Sequence, residues 1–219
     1  SGWGLALWRS SSNSVSRNAF DFCVRGHVEG VYNRGQDSAG ILCFEQSNDN
    51  VFAENSVTHG GDGFFGIAGH EAIGDHWMNR ERERLRKETG KQEVDDLIRP
   101  PDDLARRMSD LGCNRNLLIG NDFSYASAHG IEMTFSEDNA YIGNRLVENA
   151  ICGIWGGYSS RSRIQGNEFH GNGGMAYGLE RGAINMEQSA DNLIDGNRFV
   201  NNKCAIHLWW DNDGTLLRS

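Results

Sequence analysis

Glu132 and Glu187 are the residues of this chain best suited to acid–base chemistry. Each lies in a short alternating segment, Ile131-Glu132-Met133 and Ile184-Asn185-Met186-Glu187, with His129 and His207 close by in comparable segments. Hydrolysis of a glycosidic bond needs two carboxyl groups, one acid for the leaving oxygen and one base or nucleophile across the sugar. Histidine adds a group that titrates near neutral pH. Asp62, in His59-Gly60-Gly61-Asp62-Gly63, precedes its strand by the same count as His129 precedes the next. An Asp–His pair there would orient an imidazole for acid or base work, or form a purely structural hydrogen bond. Glu132, Glu187, His129, His207 and Asp62 are therefore the candidate catalytic residues.

Trp155 and Tyr158 flank two glycines in Gly153-Ile154-Trp155-Gly156-Gly157-Tyr158, and Trp209 closes a later segment. Aromatic rings stack on sugar faces, while amides, carboxylates and guanidinium groups bond hydroxyls. Trp155, Tyr158, Asn185, Arg181, Glu180, Trp209 and His59 form the candidate substrate-binding set. Glu180, beside Arg181, is also a substitute carboxylate partner for Glu132 or Glu187. No metal ligand is assigned. His129, Glu132 and His207 match no zinc spacing, and no nine-residue calcium-binding period follows Gly60-Gly61-Asp62-Gly63.

These residues come from distant parts of the chain, so a repeating scaffold must gather them. One pattern is written six times: Asn, an apolar residue two on, a second Asn three further, and another apolar residue two beyond. Its copies begin at Asn13, Asn50, Asn116, Asn139, Ser162 and Asn192, with Ser162 the one departure from Asn. The second Asn recurs at 18, 55, 121, 144, 167 and 197, so the base period is 23 with excesses of 14, 43 and 7 residues. Between copies lie alternating segments such as Gly40-Ile41-Leu42-Cys43, Gly130-Ile131-Glu132-Met133 and Ala205-Ile206-His207-Leu208. Period-two alternation in so short a repeat predicts one turn of a solenoid of short strands rather than a helical hairpin.

These rungs resemble right-handed parallel β-helix repeats, the architecture of many polysaccharide lyases, glycoside hydrolases and uronan epimerases, and of the NosD-type periplasmic proteins. The resemblance implies an all-β, single-stranded right-handed parallel β-helix of about seven rungs. It also implies a secreted or periplasmic location and a polysaccharide or oligosaccharide partner. The scaffold hosts many activities, so function must come from the site. With the strand isoleucines inward, one outward column reads Ala6, Leu42, Phe65, Glu132, Trp155, Asn185, His207, and a second reads Trp8, Phe44, Ile67, Thr134, Gly157, Glu187, Trp209. Rungs roughly 4.8 Å apart put Glu132 and Glu187 roughly 12 Å apart at Cα, so their long side chains would have to lean together.

The favoured function is a carbohydrate-active enzyme, a glycoside hydrolase before a lyase, with a glycan laid along this sheet. In β-helix lyases of acidic polysaccharides the resemblance implies a Lys or Arg base with a cation on the uronate. Arg181 is the single good candidate here, so elimination ranks below hydrolysis; no cofactor is expected, with calcium reserved for a uronan substrate. The alternatives are a noncatalytic carbohydrate-binding or surface-interaction β-helix, and a NosD-like metal-delivery accessory. The net charge of −9 argues against nucleic acid or an anionic membrane as partner. No apolar run reaches membrane-spanning length, and the oligomeric state is open.

One β-helix domain over 1–219 is expected, a fragment of a longer exported chain, because Gly2-Trp3-Gly4 already begins a rung and Leu216-Leu217 ends it as briefly. Residues 70–113 form a helical insertion: a charged helix from His76 to Glu88 stopped at Gly90, and a second from Pro100 to Gly112 along Leu104, Met108 and Leu111. It covers one flank of the stack or serves as a lid. The stretches between Asn18 and Gly40, and between Gly173 and Gly182, are expected cleft walls. The five cysteines lack any CxxC pair and read as buried thiols, Cys152 and Cys204 being two rungs apart and too distant for a disulfide.

Overall fold

A strand of three to six residues buries too little apolar surface to stand alone, so each must borrow a neighbour from the turns above and below. In the computed structural model, which describes residues 2–25, 38–99 and 101–210, these strands form three parallel sheets. The long sheet has seven strands in chain order: Trp3–Trp8, Ala39–Phe44, Asp62–Ile67, His129–Thr134, Cys152–Gly157, Gly182–Glu187 and Ile206–Trp209. A second sheet stacks six three-residue strands from Ser14–Ser16 to Leu193–Asp195, and a third stacks Arg145–Val147, Glu168–His170 and Arg198–Val200. The chain is a right-handed parallel β-helix.

Register follows the apolar pattern. Leu5, Ile41, Phe64, Ile131, Ile154, Ile184 and Ile206 pair successively along the long sheet. Those from Ile41 to Ile184 are completely buried, as are Phe52, Leu118 and Ile164 of the second sheet and Leu146 and Phe169 of the third. A one-residue slip would send every one of them to the outside. Two residues on, large and small side chains alternate through Gly66, Met133, Gly156 and Met186. A Cβ on Gly66 would meet Met133 Sδ at 2.3 Å, and one on Gly156 would meet Met186 Cε at 2.6 Å. The methionines fill the space the glycines leave.

The repeated asparagines lie inside the corners and bond from turn to turn. The second Asn forms a ladder from Asn18 through Asn55, Asn121, Asn144 and Asn167 to Asn197, each backbone N–H donating to the next Oδ1 at 2.8 to 3.0 Å. Their side-chain Nδ2 groups donate along the same line at 2.9 to 3.1 Å. The first Asn forms a parallel ladder, interrupted at Ser162, whose backbone N–H still donates to Asn192 Oδ1 at 2.8 Å. The residue before the second Asn adopts left-handed backbone at every turn, φ running from 55° at Glu54 to 64° at Gly120, which is why glycine takes this corner four times.

Residues 70–113 hold helices Asp75–Thr89 and Asp102–Ser109, the first ended by Gly90 in the left-handed conformation. Met78, Leu85, Val94 and Ile98 make a small separate core with Trp77 and Leu97. Residues 26–37 and Leu216-Leu217 lie outside the described residues. All five cysteines are free. Cys43, Cys113 and Cys152 are buried, whereas Cys23 and Cys204, also expected inside, are partly exposed. Cys204 is at the last turn, with no further turn among the described residues to cover it.

Asn144→Ala should lose about 3 kcal/mol or more, because it strips partners from Asn121, Asn167 and the carbonyl of Leu118 inside the stack. Asn18→Ala, at the exposed first turn, should lose about 1 kcal/mol or less. Urea denaturation of the two variants checks the contrast, and equal losses would discount the ladder.

Candidate functional site

Three successive strands of the long sheet build one wall. Phe65 pairs with Glu132 and Glu132 with Trp155, so a ring, a carboxylate and a second ring stand side by side across three turns. Asp62 and His129 open the first two of these strands. The Oδ1 of Asp62 accepts the backbone N–H of His129 at 2.9 Å, tying the strand starts together. The expected Asp62–His129 adjacency is thus real, and the bond is to the backbone of His129.

The opposite wall is the loop before Gly182. Tyr177 and Glu180 exchange backbone hydrogen bonds of 3.0 and 2.9 Å, a tight reversal. Both side chains line a cavity of about 270 Å3 together with Asp62, Phe65, His129, Glu132 and Trp155, near the lower end of ligand-site volumes. The His129 Nε2 faces Glu132 Oε2 at 3.8 Å and Glu180 Oε2 at 3.6 Å. Those two carboxylate oxygens are therefore no more than 7.4 Å apart, the sum of the two distances. The imidazole also stacks on Trp155, with centroids 5.9 Å apart.

Burial sets the charges. It pushes Glu180 up to about 7, with the charge of Glu187 adding to the effect. It pushes the His129 imidazole down to about 3. Near neutral pH the cavity therefore pairs a neutral imidazole with a glutamic acid that still holds its proton part of the time. Cys152, paired with His129 in the sheet, is driven well above the normal thiol range, first by burial and then by Glu180 and Glu132. It is kept as a thiol and is a poor nucleophile.

The remaining candidates are placed elsewhere. Glu187 is buried outside the cavity lining and accepts a 3.3 Å hydrogen bond from the Tyr158 hydroxyl. Tyr158 stacks flat on Phe135 at 4.5 Å. Asn185 was expected on an open sugar-binding face but is fully buried. It donates to Leu179 O at 3.1 Å, accepts from Trp209 Nε1 at 2.9 Å and meets His207 Nδ1 at 3.0 Å. His207 and Trp209 stack on each other and hold that group together. Arg181 donates to Gly178 O within the loop, and its buried Nε lacks a partner. His59 is sandwiched between Phe22 and Tyr125 at 4.8 Å on each side, at another corner.

Phe65 and Tyr177 line the cavity and were absent from the candidate set. Phe65 shares the outward column of Glu132, a signal that would have found it. Among the described residues of 70–113 none lines the cavity, so the lid reading of the insertion gains no support, and the wall expected between Gly173 and Gly182 is present.

A family described as the right-handed beta helix region matches residues 106–219, and the chain belongs to that family. No curated protein matches it. Among solved structures, the periplasmic alginate epimerase AlgG, as a double mutant, is 14% identical with a TM-score of 0.53, over 89% of this chain and 36% of that one. The A-module of the Azotobacter vinelandii mannuronan C-5 epimerase AlgE4 is 12% identical with a TM-score of 0.36, over 80% of this chain and 48% of its own. At these identities the likeness to AlgG is one of fold, and the chain spans about a third of that protein's length.

Glu180 predicts a pH signature in stability. Its carboxyl rises from 4.5 to about 7 on folding, so its contribution is fully present below about 4.5 and is lost as pH rises through about 7. Replacing it with glutamine should shrink the fall in Tm between about pH 5 and about pH 8. An unchanged pH dependence in Glu180→Gln would show that this carboxyl is not held protonated by the fold.

Proposed function

We propose that the protein is a carbohydrate-active enzyme, a glycoside hydrolase acting on a polysaccharide bound across the outer face of the long sheet. The observation that carries this reading is the pair Glu132 and Glu180, opposed across one cavity with aromatic rings on its wall. Glu180, its carboxyl held up by burial, is the general acid for the leaving oxygen. Glu132 is the base or nucleophile, and Asp62 positions the start of the His129 strand. Trp155, Phe65 and Tyr177 supply aromatic surface for a sugar ring. The 7.4 Å ceiling on their separation is compatible with either stereochemical course.

The name of one fold neighbour, an alginate epimerase, supports a polysaccharide as the ligand class, and its description as periplasmic supports an exported location. The site itself favours an uncharged glycan. Among the described residues, those lining the cavity include Asp62, Glu132 and Glu180 and no Lys or Arg, so an acidic polymer would find no cationic partner there. Elimination therefore ranks below hydrolysis.

Reducing-end release from a panel of neutral and acidic polysaccharides tests the reading. Turnover of a neutral glycan should fall about 10²- to 10⁴-fold in both Glu180→Gln and Glu132→Gln. Glu187→Gln should retain turnover and shift its basic limb to lower pH, because one of the two causes raising Glu180 is gone. Full turnover in both cavity variants, or no release from any glycan, would overturn the proposal.

A further inference from the structure

Asp62, His129 and Glu132 each bring one potential ligand atom within 4.8 Å of the other two. Asp62 and His129 are buried to 1% and 5% exposure, so the imidazole and one carboxylate sit where water competes poorly. The separations from His129 Nε2 of 3.8 Å to Glu132 and 3.6 Å to Glu180 are too long for direct hydrogen bonds. They approach the spacing of two ligands on one ion, since tetrahedral bonds of about 2.0 to 2.2 Å hold neighbouring donors roughly 3.3 to 3.6 Å apart. Contraction of a few tenths of an ångström would bring the two glutamates to ligand spacing from the imidazole, and Asp62, within 4.8 Å of the other donors, would close by up to about 1.5 Å.

The His129 imidazole is also short of partners. Its Nδ1 is buried with no hydrogen-bond partner, and its Nε2 has only the two long approaches to Glu132 and Glu180. Neither ring nitrogen is therefore satisfied by the protein, and an ion on the Nε2 side would satisfy that one. Native proteins seldom leave such an atom unpaired, and where they do, a bound ion or water at the group is among the common reasons. The Asp62 hydrogen bond to the backbone of His129 is what holds two of these donors in mutual register.

We infer that Asp62, His129 and Glu132 form a binding site for one divalent transition-metal ion, with Glu180 reaching it from the facing loop as a further ligand. One imidazole nitrogen among carboxylate oxygens suits zinc, cobalt or manganese, whereas calcium and magnesium favour shells of oxygen alone. The ion binds through side chains from two turns and the loop, so it would clamp the loop onto the sheet. It would also engage both carboxylates assigned above to hydrolysis. That consequence, inhibition of glycan cleavage by the metal, rests on the hydrolase reading; binding itself does not.

Isothermal titration of the full chain, without a histidine tag and after removal of metals with a chelator, should give one Zn2+ per molecule. Cobalt should give the visible absorption of a low-symmetry site free of thiolate charge-transfer bands. Affinity should drop at least about tenfold in Asp62→Asn and in Glu132→Gln, with circular dichroism unchanged. His129→Gln should abolish binding. No binding by the wild type, or wild-type affinity in the folded Asp62→Asn and Glu132→Gln proteins, would overturn the site. Metal binding without any glycan turnover would remove the hydrolase reading and leave the metal site standing, and turnover without metal binding would do the reverse.

Discussion

Lateral hydrogen bonding between successive turns is the constraint on which everything else depends. Backbone pairing alone would permit neighbouring turns to slide, because one peptide group resembles the next. The asparagine ladder removes that freedom: Asn144 bonds Asn121 on one side and Asn167 on the other through both backbone and side chain. These amides are buried, so a displaced turn would leave several polar groups unpaired at a cost of about 1 to 3 kcal/mol each. The apolar columns agree with the same register, and the alternation of Gly66, Met133, Gly156 and Met186 adds a shape constraint. Charge contributes less. Arg115 with Asp49 and Arg161 with Asp138 bridge exposed corners at 2.8 to 2.9 Å, and such pairs are individually weak.

Once register is fixed, chemistry follows from what the columns juxtapose and how dry the result is. Asp62, His129 and Trp155 are far apart in sequence, yet they come from three consecutive turns. The reversal at Tyr177 and Glu180 then closes the fourth side and withdraws Glu180 and His129 from water. Desolvation drives the two groups in opposite directions, the carboxyl toward its acid and the imidazole toward its base, so both are biased to neutrality. A cavity with two carboxyl groups and aromatic walls fits the ring-shaped ligand proposed above. The same dryness is what lets a bound cation compete for these donors.

Most of the scaffold was legible in the sequence because strand geometry has a period of two and the asparagines mark each corner. That logic put Glu132 beside Trp155 and Asp62 beside His129. It failed where loops decide. Seven excess residues before Asn197 announced an inserted loop, but no repeat could say that its reversal would swing Glu180, rather than Glu187, over Glu132. The outward direction of Asn185 was likewise readable from alternation, whereas its burial was not, since Leu179 from the loop and Trp209 from the next turn cover it. The helices of 70–113 carried clear start and stop signals, yet helix signals carry no information on where a helix docks.

The most direct measurement is a crystal structure of the protein soaked with an oligosaccharide. It should show Phe65, Glu132 and Trp155 abreast on consecutive turns, a sugar ring against Trp155, and its glycosidic oxygen between Glu132 and Glu180. A register shifted by one residue along these strands, or a glycan seated only away from the Asp62–His129 corner, would contradict the account.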